Sequence, residues 1–153
     1  MNIFLLTDRY AKKLADVIPE AVLQLAARVS MFMVFWFSAQ TKLAGSEILG
    51  QKWMFWNLSS STFALFEYDY AIPLLPPVIA AYLATISEFF FSLFILCGLL
   101  TRLSALALLI ITLVIQIFVY PSSWPQHLLW GTALLYLLSA GAGAVSVDRL
   151  IGR

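Results

Sequence analysis

Four predominantly apolar runs, residues 21–39, 78–98, 103–120 and 128–144, restrict this chain more than any other feature. Crossing the hydrocarbon core of a bilayer takes about 17–25 helical residues, and each run is long enough. Inside them only Arg28 and Glu88 carry charge. Soluble domains are roughly 25% charged; this chain is 11% charged and 62% hydrophobic. A single domain of 153 residues could not hide that much apolar surface from water, and disorder needs the opposite composition. The fold class is therefore all-α: an integral membrane four-helix bundle over residues 21–144, with residues 1–20 before it and a tail, residues 145–153, after it.

Charge outside the spans sets an orientation. Arg9, Lys12, Lys13, Arg102, Arg149 and Arg153 fall on one side, and only Lys42 and Lys52 on the other. The excess of Lys and Arg in cytoplasmic segments puts both termini in the cytoplasm of a multi-pass inner-membrane protein. A formal charge of +1 gives no bulk attraction to nucleic acid. Residues 1–20 do not read as a signal peptide, because Asp8, Arg9, Lys12, Lys13 and Asp16 interrupt the apolar start. Tyr10, Leu14, Val17 and Ile18 recur at helical spacing, which predicts an amphipathic helix on the inner surface, with Thr7 as N-cap and Pro19 as the break.

The first loop, residues 40–77, is long and carries Trp53, Phe55, Trp56, Phe63, Phe66, Tyr68 and Tyr70. It is too aromatic to stand free in water, and a short interfacial helix near residues 60–66 is expected, with Pro73, Pro76 and Pro77 stiffening the path into the second span. All five tryptophans fall toward the outer side. That asymmetry fits either an interfacial belt with a packed cap or an aromatic-lined pocket.

The lone cysteine, Cys97, excludes an internal disulfide, a CxxC pair and a thiolate zinc site. Its apolar neighbours predict a buried, inert thiol. Redox chemistry would thus need a bound cofactor or a partner subunit. Arg28 and Glu88 lie at similar depth by residue count, so an intramembrane charge pair is expected. Ala81, Ala84, Thr85 and Ser92 share the Glu88 face and would let a helix approach closely. Such a pair serves either as a registry device or in proton handling.

A second group gathers at the outer mouth: Gln40 and Lys42, Gln116 and Tyr120, His127 and Trp130. Aromatic walls with a few hydrogen-bonding groups suit a flat, lipid-soluble ligand such as a quinone. A lone histidine at a helix start such as His127 is more often an interfacial hydrogen-bonder than a ligand. One histidine with no acid in its own helix gives no metal site, and neither a phosphate-binding glycine loop nor a nucleophile triad can be assembled.

Arg28 with Phe32, then Ser38 and Lys42, Glu88, the run Gly98, Leu99, Leu100, Thr101, Arg102, and the glycine-rich residues 141–148 ending in Ser146, Val147, Asp148 resemble, in this order, the DoxX family of small four-helix membrane proteins. The likeness runs over nearly the whole chain. Residues 119–130, with 65–68 and 73–77, are similar to DoxX proteins that accompany iron-dependent peptide-modifying enzymes. The family is related to the small subunit of thiosulfate:quinone oxidoreductase, which implies quinone contact. The expected function is a cytoplasmic-membrane component of a quinone-linked redox system, giving a quinone-facing or proton-handling site to a partner subunit. The other reading is a non-enzymatic anchor, or an export helper for a modified, metal-responsive peptide. No intrinsic cofactor is expected. Partners would be membrane lipid and a redox or peptide-modifying protein, and a homo-oligomer is compatible.

Overall fold

The computed structural model describes residues 3–70, 72, 73 and 75–152, with residues 3–5 as backbone only. Met1, Asn2, Leu74 of the proline-rich run and Arg153 of the basic tail lie outside the described residues. Helix α1 is Ile3–Ala15, so Thr7 sits within it rather than capping it. Its Asp8–Lys12 pair, at 3.2 Å, is exposed and contributes little stability. Tyr10, Leu14, Val17 and Ile18 are all more than half exposed, an apolar stripe of the kind that rests on a membrane surface.

After Pro19 the chain enters α2, Glu20–Lys42. Helix α4, Pro77–Cys97, starts with proline in its first turn, where a missing N–H is harmless. It ends at Gly98, whose φ of 66° lets the Leu99 N–H reach back to the Phe94 carbonyl at 2.8 Å. Helix α5, Thr101–Val114, runs on as a π turn, Ile115–Val119. Helix α6 is Trp124–Ala140. It lies four residues earlier than the run 128–144 suggests, because Pro125 suits a first turn and Gly141 takes a positive φ of 83°. A last turn, α7, covers Val147–Leu150.

Among the described residues, three helical stretches are long and apolar enough to cross a membrane: Glu20–Lys42, Pro77–Cys97 and Thr101–Val119. Helix α6, 17 residues long, reaches about 26 Å at 1.5 Å per residue. It packs against α5 and α2, while α4 packs against α2 and α5. One core joins Met31, Phe35, Ile95, Ala105, Leu108, Leu134 and Leu137; the other joins Trp36, Ala39, Leu43, Leu58, Phe66, Ala80, Ala81 and Phe89. Outside them Met33, Phe37, Leu83, Ile110, Leu113 and Leu135 face outward, all at least 46% exposed. So broad an apolar exterior is a lipid-facing one.

The end of the bundle holding Lys42, Pro77 and Trp124 is called upper here, and the end holding Cys97 and Thr101 lower. Between Lys42 and α4 the chain forms a two-stranded hairpin, β1 Glu47–Ile48 and β2 Gln51–Lys52, whose strands are too short to leave a pattern in sequence. Helix α3, Ser60–Ala64, follows. Ser59 caps it, accepting from the Thr62 N–H at 3.2 Å. The helix continues as a π turn, Leu65–Asp69. Cys97 is exposed rather than buried: as the last residue of α4 it points away from the helices that cover its neighbour Ile95.

Candidate functional site

A cavity of about 390 Å³ opens among the upper halves of α2, α4, α5 and α6, within the range of small-molecule sites. Lys42 and Glu88 face each other in its wall, Nζ to Oε2 at 2.7 Å, both buried. The ammonium also donates to the Ser38 hydroxyl at 2.7 Å and the Ser38 carbonyl at 3.1 Å, so its three donors match three acceptors. A charge held in an apolar wall needs that degree of compensation.

His127 and Trp130 form the α6 side, their rings 5.0 Å apart. Behind His127 stands Gln116, buried outside the lining. Gln116 Nε2 donates to the Pro121 carbonyl at 2.8 Å. With the amide so oriented, its Oε1, 2.6 Å from His127 Nδ1, accepts a hydrogen bond from the ring N–H, an assignment made from the network. A neutral ring with Nδ1 protonated offers Nε2 as acceptor. The expectation that Gln116 lines the pocket is thus corrected: it orients the histidine.

The π turns decide how the mouth is built. Each inserts an i→i−5 bond, Tyr70 N–H to Leu65 and Tyr120 N–H to Ile115, which rotates the residues beyond it relative to a plain helix. Both end on a tyrosine, and the two phenol oxygens meet at 3.2 Å. Burial, then the hydrogen bond with Tyr120, pushes the Tyr70 phenol well above its ordinary range. Tyr70, Phe66 and Ser38 all line the cavity and were not among the sequence-derived site residues; nothing in sequence marks a π turn. Leu83 and Ile110 line it too and are each 53% exposed on the outside, so the cavity opens sideways between α4 and α5.

The structure brings Lys42, Tyr120, His127 and Trp130 to this one cavity and separates Arg28 from Glu88. The Arg28–Glu88 pair is corrected. Arg28 lies at the lower end, where it donates to the carbonyls of Ile95 (2.9 Å), Leu96 (2.5 Å), Ala142 (3.0 Å) and Val145 (2.6 Å). The last carbonyls of a helix have no partner within it, and a guanidinium with five donors can collect several. The depth estimate failed because α4 ends level with Arg28, more than two turns above the start of α2. Gln40 also turns away, bonding the Lys52 N–H and carbonyl at 2.7 and 3.1 Å. Nearby at the lower end Asp148 takes the Leu100 and Thr101 N–H groups at 2.7 and 2.9 Å, capping α5.

Among the described residues no three His, Cys, Asp or Glu side chains cluster closely enough to hold a metal ion. Searches of characterised proteins and of solved structures returned no match. The DoxX family profile matches residues 23–121, a stretch that holds Arg28, Lys42, Glu88, Gln116 and Tyr120 and stops short of His127 and Trp130. That match covers well over half of the sequence, and the chain belongs to the DoxX family.

Proposed function

We propose that this chain is the membrane component of a quinone-linked redox system and that its upper cavity holds the ring of a lipid-soluble quinone or quinol. The observation that carries the reading is a largely apolar cavity, open sideways toward lipid, with a buried Lys42–Glu88 pair and a histidine ring in its walls. An isoprenoid-tailed molecule could enter between Leu83 and Ile110 without leaving the bilayer. Trp130 offers a stacking face. His127 Nε2 is an acceptor, so it suits the hydroxyl of a quinol better than a quinone carbonyl.

Interconverting the two forms moves two electrons and two protons. The described side chains hold proton-transfer groups in Glu88, His127, Tyr70 and Tyr120, and the electrons would pass to a partner carrying the redox centre. In this reading α6 is a fourth crossing, both termini are cytoplasmic, and the upper end faces outward, as the distribution of Lys and Arg suggests. Protons would then exchange at the outer side.

The test is binding in lipid nanodiscs, followed through tryptophan quenching by added ubiquinol or ubiquinone analogues. His127→Ala should weaken quinol binding by about 1–3 kcal/mol, the cost of a lost buried polar partner, with a smaller effect on quinone. Ala84→Leu, which fills the cavity wall, should abolish both. Unchanged binding in both variants would sink the proposal. Absence of quinone binding together with a stable complex with a modified peptide would favour the anchor or export reading.

A further inference from the structure

The register between α2 and α4 supplies a depth scale for the long first loop. Arg28 bonds the Ile95 carbonyl, and the Trp36 ring lies 5.0 Å from Phe89. The two helices are antiparallel, so these contacts place Lys42 level with about Tyr82, some 8 Å below the start of α4 at 1.5 Å per residue. An independent contact agrees. Thr62 Oγ1 donates to the Lys42 carbonyl at 2.8 Å, and the adjacent Phe63 ring lies 5.8 Å from Tyr82. Helix α2 therefore stops about a turn and a half below the upper rim, and the loop begins beneath that rim.

The loop then stays low. Trp53 and Phe55 meet Phe89 with ring centroids 6.3 and 5.7 Å apart. Phe89 is the thirteenth of 21 residues in α4, near its middle. The Trp36 indole N–H donates to Gln51 Oε1 at 2.6 Å. Yet the other side of this segment is open: Ile48, Leu49, Trp53 and Trp56 are 63%, 94%, 43% and 56% exposed.

Backbone at membrane depth must find its partners within the protein, and here side chains supply several of them. Gln40 takes both the N–H and the carbonyl of Lys52. Lys52 Nζ takes the Leu43 carbonyl at 2.9 Å, and the Trp53 indole takes that of Ile48 at 3.2 Å. The Asn57 carbonyl accepts from Ala44, closing the base of the segment.

We infer that residues 43–58 form a re-entrant hairpin embedded in the upper leaflet, with Ile48, Leu49 and Trp56 in contact with lipid acyl chains. On α2, Met33 and Phe37 are likewise 46% and 54% exposed. The hairpin is independent of what the cavity binds.

The test uses the full chain with Cys97→Ser, reconstituted in phosphatidylcholine vesicles and spin-labelled at Ile48→Cys or Leu49→Cys. Leu83→Cys serves as the lipid-facing reference and Tyr68→Cys, at a position 75% exposed on the π turn, as the aqueous one. Labels at 48 and 49 should match position 83, with collisions by dissolved oxygen several-fold more frequent than by a water-soluble nickel chelate. Two sites are used so that one poorly folding variant does not decide the result. If both labels behave like position 68, the hairpin stands in water, open to a protein partner, and the inference is wrong.

Discussion

Replacing Glu88 by leucine should leave the Lys42 ammonium in an apolar wall with only Ser38 for company. Removing one member of a buried pair typically costs about 3–5 kcal/mol, because the remaining charge stays desolvated. Lys42 keeps two of its three acceptors, at 2.7 and 3.1 Å, so the low end applies: about 3 kcal/mol, roughly a hundredfold in the folding equilibrium. Lys42→Met should cost a similar amount by stranding the carboxylate. The double variant Lys42→Met/Glu88→Leu replaces the pair by apolar groups of similar size and should return to within about 1 kcal/mol of wild type. The assay is reversible unfolding in mixed micelles as the fraction of denaturing detergent is raised. The cycle should give a coupling of more than about 2 kcal/mol between Lys42 and Glu88, and less than about 0.5 kcal/mol between Arg28 and Glu88, which share no contact. Strict additivity of the first pair, or strong coupling in the second, would refute the assignment of Lys42 as the partner of Glu88.

Gly98→Ala should destabilise by more than the roughly 1–2 kcal/mol of a left-handed alanine, since its Cβ would come within 2.9 Å of the Arg28 guanidinium and 2.6 Å of Ser146 Cβ. Gly152→Ala, at φ 78° in open space, should show the conformational cost alone in the same unfolding assay. Asp148→Ala removes the acceptor for two N–H groups at the start of α5 and should cost about 1–2 kcal/mol, read as a fall in Tm with little change at the upper cavity. Tyr70, whose phenol is pushed up by burial and by Tyr120, should ionise after the exposed tyrosines in an alkaline absorbance titration. Because its folded pKa is raised, the stability it confers is fully present below the unfolded value near 10 and is lost only as pH climbs toward the folded value. Tyr70→Phe should delete the latest-titrating component, and an unchanged titration would contradict the Tyr70–Tyr120 contact. Reporter fusions after Ile151 and at Tyr68 should land on opposite sides of the membrane if the four-crossing topology holds.

Membrane character and the helical class were legible in sequence because each follows from local composition. A run of apolar residues long enough for a bilayer satisfies its backbone internally, and any charge within it must face protein. His127 and Trp130, three residues apart, had to share a helical face. What sequence could not yield was the vertical register of α2 against α4. That offset depends on where Arg28 finds acceptors at the end of α4 and on how closely Ala39 and Ala81, both fully buried, allow the helices to approach. Counting residues from the span ends put Arg28 beside Glu88, whereas packing put Lys42 there. The π turns that bring Tyr70 and Tyr120 together are likewise tertiary features, since one extra residue in a turn is stabilised by contacts beyond it and has no compositional signature. The hairpin of residues 47–52 belongs with them: its strands are two residues long, and the groups that satisfy it, Gln40 and Trp36, come from a helix that precedes it in the chain.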